Sequence, residues 1–289
     1  MQSLDDGEYG QAVPGTKRGS EAPDRAVSGA PSPTAGTTDR PPPERLVPPS
    51  SVTPALPVLP AALALVLFDL DGVLIDSEPL SITVMAETLG ACGVATTYEE
   101  CRREFTGLTL AAVRPIVEHR IGRPIDPDFE RAYEESLFER FGTELQTFPG
   151  TTDLLDALRR AGVLSCVASN GTERRIRIAL GATGLLGRLG SRIFGVEMVE
   201  RPKPAPDVFV TAAAALGVPP SRCLVIDDTP VGIAAARAAA MSVWAPATTY
   251  HPSLLKAADH VASSMTALCR SLIAALESGG QTGSPGARI

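Results

Sequence analysis

The sequence predicts an α/β fold: a doubly wound, parallel, Rossmann-like sheet with a helical domain inserted after its first strand. Two observations carry this. From Ala61 onward short, nearly continuous apolar runs alternate with helical stretches, the pattern of strands covered on both faces. The first interval breaks that rhythm, because residues 79–148 contain helical stretches and no strand pattern. About seventy residues is too long for a single crossover helix, and enough for a small helical bundle.

The strands are read at 63–69 ("LALVLFD"), 163–169 ("VLSCVAS"), 193–197 ("IFGVE"), 223–227 ("CLVID"), 242–245 ("SVWA") and, with a fainter pattern, 260–263 ("HVAS"). Helical periodicity lies between them near 151–161, 173–182, 206–216 and 230–240, and within the insert near 79–91, 108–121 and 128–141. The core is therefore expected over 62–78 and 147–277, with the insert at 79–146. Twelve of the 26 prolines fall in residues 1–60, among many Gly, Ser and Thr. Such a stretch buries too little apolar surface to offset the entropy of ordering, so 1–61 is read as a disordered leader and 278–289 as a flexible tail.

The start "MQSLDDGEYG" is acidic where a secretory signal is basic and then apolar. The apolar run ending at Phe68 is broken by Pro54, Pro57 and Pro60, too short to span a bilayer. Five scattered cysteines form no C-x-x-C pair, which reads as reduced thiols in a cytoplasmic protein. A formal charge of −7 speaks against nucleic acid or an anionic membrane as partner.

In open α/β sheets ligands bind beyond the carboxyl ends of the strands. The residues following the first four strands are Asp69, Asp71 and Gly72; Ser169, Asn170 and Gly171; Lys203; and Asp227, Asp228 and Thr229. Two pairs of carboxylates, a hydroxyl-amide turn and a lysine on one rim suit phosphoryl transfer to a carboxylate. Clustered acids would raise one another's pKa unless a cation sat among them, and carboxylate and water ligands suit Mg²⁺. Ser169 and the backbone N–H groups of Asn170 and Gly171 can donate to phosphoryl oxygens. Lys203, one of three lysines among 26 basic residues, supplies a compact positive charge.

Four motifs in order, "DLDGVLIDS" (69–77), "VASNG" (167–171), "RPKPAPDVF" (201–209) and "VIDDTPVGIAAARAAAM" (225–241), resemble the haloacid dehalogenase superfamily, in its branch with a helical cap after the first strand. The resemblance implies that Asp69 is the nucleophile forming an aspartyl phosphate and Asp71 the general acid and base. It also implies that Asp228 binds Mg²⁺ with Asp69 and the Asp71 backbone carbonyl, and that Asp227 supports the metal.

Several residues carry open readings. Asp76 and Ser77 either cap the first insert helix or serve its hinge. Thr106, Gly107 and Arg114, in and near "FTGLT" (105–109), either select the leaving group or connect helices. Arg174, Arg175 and Arg177 read as a solvated helix face rather than a phosphate site, and His119, His251 and His260 as surface or cap positions rather than metal ligands. The insert carries twelve acids and seven arginines, a net of −5 over 79–146, a poor match for a polyanion. The expected activity is a Mg²⁺-dependent phosphatase acting on a small phosphorylated metabolite, similar to phosphoglycolate and sugar phosphatases. The alternative is a phosphosugar mutase like β-phosphoglucomutase. Dehalogenation fits poorly with the acids at 71, 227 and 228, and a non-catalytic phosphate binder would be expected to lack one of them.

Overall fold

The computed structural model describes residues 58–280, so the readings of the leader and tail fall outside it except at 58–61 and 278–280. The elements run β1 (Leu65–Phe68), α1 (Glu78–Ala91), α2 (Tyr98–Phe105), α3 (Leu110–Ile121), α4 (Phe129–Glu144), α5 (Thr151–Arg160) and β2 (Leu164–Ala168). They continue with α6 (Glu173–Ala182), α7 (Leu186–Leu189), β3 (Ile193–Phe194), α8 (Asp207–Ala215) and β4 (Cys223–Ile226). The last are α9 (Pro230–Ala238), β5 (Ser242–Pro246), β6 (His260–Ala262) and α10 (Met265–Gly280).

The six strands form one sheet in the order β3-β2-β1-β4-β5-β6, and every neighbouring pair is parallel. Strand order reverses between β1 and β4, the switch point where such sheets bind ligands. Side chains alternate across each strand. Val66, Phe68, Leu224, Ile226 and Trp244 face one apolar layer with α5, α6 and α10. Leu65, Leu67, Val225 and Val243 face the other, with α8 and α9. The apolar residues of α1 to α4 are continuous with the first layer through Ile82, Leu89, Phe105, Leu137 and Phe141.

Four elements differ from expectation, the first being the four-residue α7, where no helix was read. β3 pairs over two residues only, because the chain turns at Gly195 into a single 3₁₀ turn at Val196–Met198. Helix α2 was not expected. Its short, charged sequence hides periodicity, but Thr97 accepts from the Glu100 N–H and Glu100 accepts from the Thr97 N–H, a reciprocal N-cap. Helix α10 buries Met265, Leu268, Cys269 and Leu272 against the sheet and runs to Gly280, so the tail reading from Ser278 is corrected for 278–280. Among the described residues no helix is long and apolar enough to cross a membrane.

Phe68 is fully buried at the end of β1, one residue before the site. Phe68→Ala removes a ring from a closed layer and is expected to cost about 3–5 kcal/mol, read as a lowered midpoint in urea unfolding with the slope unchanged.

Candidate active site

Sheet register builds the site. Phe68 pairs with Ile226 on one side and Val167 on the other, so Asp69 emerges level with Asp227, and the Ser169 turn lies alongside. Lys203 reaches the same point from the loop after β3. Its Nζ donates to Asp69 Oδ1 at 2.7 Å and to Asp227 Oδ2 at 2.8 Å, and lies 4.7 Å from the centre of the Phe209 ring. The loop is held by Asn170, whose Oδ1 accepts from the Lys203 N–H at 2.9 Å and whose Nδ2 donates to the Lys203 carbonyl at 3.3 Å. Ser169 is buried, and its Oγ accepts from the Gly171 N–H at 3.1 Å.

Asp227 Oδ1 accepts from the Thr229 hydroxyl at 2.7 Å and N–H at 3.0 Å, while Thr229 Oγ1 caps α9 through the Gly232 N–H. Asp228 Oδ2 lies 2.9 Å from Thr248 Oγ1, which is also 2.7 Å from the Gly72 carbonyl. Gly72 has φ +75°, and a Cβ there would collide with the Asp228 carboxylate. The sharp turn after Asp71 thus requires glycine twice over.

Asp69, Asp227 and Asp228 each offer a carboxylate oxygen within 4.8 Å of the others. Burial pushes Asp69 up to about 6, against the pull of Lys203 and with Asp227 adding to the rise. Burial and then Asp227 push Asp228 up to about 7. Desolvation opposes the Lys203 charge, but Asp227 and Asp69 outweigh it and hold the ammonium above its usual range. Asp228 Oδ1 is buried without a hydrogen-bond partner. Three carboxylates against one ammonium leave up to two negative charges unmatched. Hard oxygen donors, an unsatisfied buried oxygen and an excess of up to two charges fit a divalent cation of the Mg²⁺ type. The Asp71 side chain is not in this group.

Asp71 instead accepts from the Ser77 hydroxyl and, at 2.9 Å, from Arg175 Nη2. Burial works against its charge, but Arg175 and Ser77 hold the Asp71 carboxyl below the usual range. Two readings are corrected here. Ser77 makes no side-chain cap to α1, because its hydroxyl is given to Asp71, and the exposed Asp76 stands aside. Arg175 is not on a solvated face: it pairs with Asp71 and stacks 5.2 Å over the Phe141 ring of α4. Thr172 caps α6 by accepting from the Arg175 N–H, and helical side chains lean toward the N-terminus. That lean carries Arg175 back over the strand ends, a signal the three-arginine run conceals. Arg177 pairs with Glu173 on the surface, as a solvated face requires, and Arg174 lies over Phe138.

The insert and the strand ends enclose a cavity of about 550 Å³ lined by Asp69, Asp71, Ser169, Lys203, Thr106 and Gly107 among others. Thr106 Oγ1 is buried and unpartnered. Gly107 has φ +80°, and a Cβ there would strike the Tyr250 hydroxyl of the loop after β5. Tyr250 was not foreseen, since it belongs to no motif. Of its two readings Arg114 takes helix connection: its guanidinium binds Glu130 and Glu118 and the Asp126 carbonyl, joining α3 to α4 outside the cavity lining. His119, His251 and His260 also lie outside the lining.

A model of haloacid dehalogenase-like hydrolases matches residues 63–240. The chain is 33% identical over 204 residues to the protein SUPPRESSOR OF QUENCHING 1, chloroplastic, of Arabidopsis thaliana, covering 66% of this chain and 18% of that one, so it spans less than a fifth of that relative. It is 34% identical over 187 residues to a phosphoglycolate phosphatase of Xylella fastidiosa strain 9a5c, covering 61% of this chain and 76% of that protein. A solved hydrolase from Deinococcus radiodurans R1, with bound phosphate and sodium, superposes with a TM-score of 0.61 at 31% identity, covering 74% of this chain and 98% of that one.

Asp69 and Asp228 have native values raised above the unfolded 3.8, to about 6 and about 7. The metal-free native state therefore keeps protons that the unfolded chain has released, and the two groups cost stability as pH rises from about 4 to about 7. Saturating Mg²⁺ should raise the thermal midpoint by several degrees at about pH 7.5 and by clearly less at about pH 5. Scanning fluorimetry against EDTA reads this, and an equal rise at both values would contradict the cation assignment.

Proposed function

The chain belongs to the haloacid dehalogenase-like hydrolase family, and within it we propose a Mg²⁺-dependent phosphatase that cleaves monoesters of small phosphorylated metabolites. The observation that carries this reading is Asp69, held at the end of β1 by Lys203 at 2.7 Å, beside two further buried carboxylates and opposite Ser169. A carboxylate oriented by a buried ammonium is a competent nucleophile toward phosphorus.

In the first step an Asp69 oxygen attacks phosphorus, the bond to the ester oxygen breaks, and Asp71 gives the leaving alcohol its proton. In the second, water attacks the aspartyl phosphate, Asp71 takes the proton, and the Asp69–phosphorus bond breaks. Asp71 must hold a proton for the first step and be ionised for the second. Its pairing with Arg175 and Ser77 suits the second, so the Arg175 contact must loosen when the alcohol arrives. Lys203 and Ser169 offset and orient the phosphoryl oxygens. The carboxylates of Asp69, Asp227 and Asp228 would hold a Mg²⁺ ion that offsets phosphoryl charge.

The insert over 79–146 serves as a cap on the core of 62–78 and 147–277. Its turn at Thr106 and Gly107 meets Tyr250 across the cavity and excludes water while Asp69 reacts. Five free thiols support a reducing, cytoplasmic setting.

Phosphate release from a panel of sugar, nucleotide and short-acid monophosphates, with Mg²⁺ and with EDTA, tests the reading. Metal-dependent release should fall by at least about a thousandfold in Asp69→Asn. Release that survives that substitution, or that ignores EDTA, would refute the assignment.

A further inference from the structure

We infer that the alcohol half of the substrate carries no second anionic group: the insert side of the cavity selects phosphate esters of uncharged polyols over phosphorylated acids and bisphosphates. This rests on the phosphatase reading above and narrows it. The cavity has two unlike ends. At the strand ends lie the only two cations that line it among the described residues, Lys203 and Arg175, and both are committed. Lys203 bridges Asp69 and Asp227, and Arg175 pairs with Asp71.

The insert itself lends the cavity no cation, and Arg175 of α6 reaches it only at Phe141. The insert wall is apolar at Ile82, Met85 and Phe105, with the carboxylates of Glu78 and Glu134 beside it. Neither glutamate forms an ion pair among the described residues. The seven insert arginines cannot reverse that charge. Arg102, Arg103, Arg114, Arg120, Arg131 and Arg140 pair with acids of the insert itself. Arg123 donates to the Cys92 and Pro124 carbonyls, and none of the seven lines the cavity.

A carboxylate or second phosphate placed at this end would face two carboxylates, and the one cation of the lining that acts on either is Arg175, beside Glu134 and already paired with Asp71. Hydroxyls meet no such penalty, since Glu78 and Glu134 accept hydrogen bonds, and the hydroxyls of Ser81 and Tyr133, which also line the cavity, can take either role. The cavity of about 550 Å³ is of the size that encloses a small ligand. Discrimination here comes from a repulsive wall rather than from a dedicated contact.

The test uses pairs that share a carbon skeleton and differ only in a terminal hydroxymethyl or carboxylate: glycerol 3-phosphate against 3-phosphoglycerate, and glucitol 6-phosphate against 6-phosphogluconate. The full chain with Mg²⁺ gives kcat/KM, and Asp69→Asn gives dissociation constants by calorimetry without turnover. The hydroxyl member should be favoured at least about tenfold in both measures. Glu134→Lys should shrink that ratio about tenfold by improving the acid, and the near-isosteric Glu134→Gln should move it part of the way.

Acids bound or turned over as well as polyols would overturn the inference and leave the phosphatase standing. A preference for acids that vanishes in Arg175→Gln would overturn it too, by assigning the carboxylate to Arg175. No phosphate release from any member, with polyol esters still bound more tightly by Asp69→Asn, would uphold the charge preference and refute the phosphatase. Neither release nor binding would overturn both.

Discussion

The ammonium of Lys203, buried between Asp69 and Asp227, is the contact on which the rest of the site depends. Burying a lysine costs several kcal/mol unless its partners repay it, and burying adjacent carboxylates costs as much again. Together they offset one another and tie three separate strand ends into one object. Asn170 holds the Lys203 backbone on both sides, so the second strand end positions the charge contributed by the third. The balance is left up to two charges short, which is the property that makes the cluster a site rather than a structural ion pair.

A second chain of contacts joins this cluster to the insert. Asp71 is bound by Ser77, at the start of the insert, and by Arg175, from core helix α6. Arg175 in turn stacks on Phe141 of α4, while the neighbouring Arg174 lies over Phe138. The Asp71 carboxylate is therefore bonded at once to the junction and to the seam between α6 and α4. Any displacement of α4 along α6 disturbs the partner of Asp71, so in the proposed mechanism proton transfer is linked to the position of the insert.

The likeness to phosphatases and the charge of the cavity bear on different halves of the substrate. In the proposed reaction the strand-end cluster takes the phosphoryl group, and membership of a hydrolase family supports that half. On the inference above the insert wall meets the alcohol, while the insert's ion-paired arginines lie off that wall. On that proposal the core keeps the chemistry of the family while the charge of the insert sets which esters reach Asp69.

By itself the sequence determined the parallel sheet and the gathering of Asp69, Asp71, Ser169, Lys203, Asp227 and Asp228 on one rim. The reason is physical: apolar runs alternating with helices admit a parallel sheet, and a parallel sheet brings all strand ends to one edge. Helix α2 was written there as well, in the reciprocal cap of Thr97 and Glu100, which apolar periodicity does not register. Only the tertiary structure decided the contacts made at long range. Arg175 is 104 residues from Asp71, and nothing local distinguishes it from Arg174 or Arg177. Arg114 reads as a candidate for the cavity until Glu130, sixteen residues away, turns it aside. Tyr250 meets Gly107 across the cavity from a loop with no motif. Which arginine faces a carboxylate, and which carboxylate is left without one, depends on how helices dock, and docking is settled by packing over the whole chain.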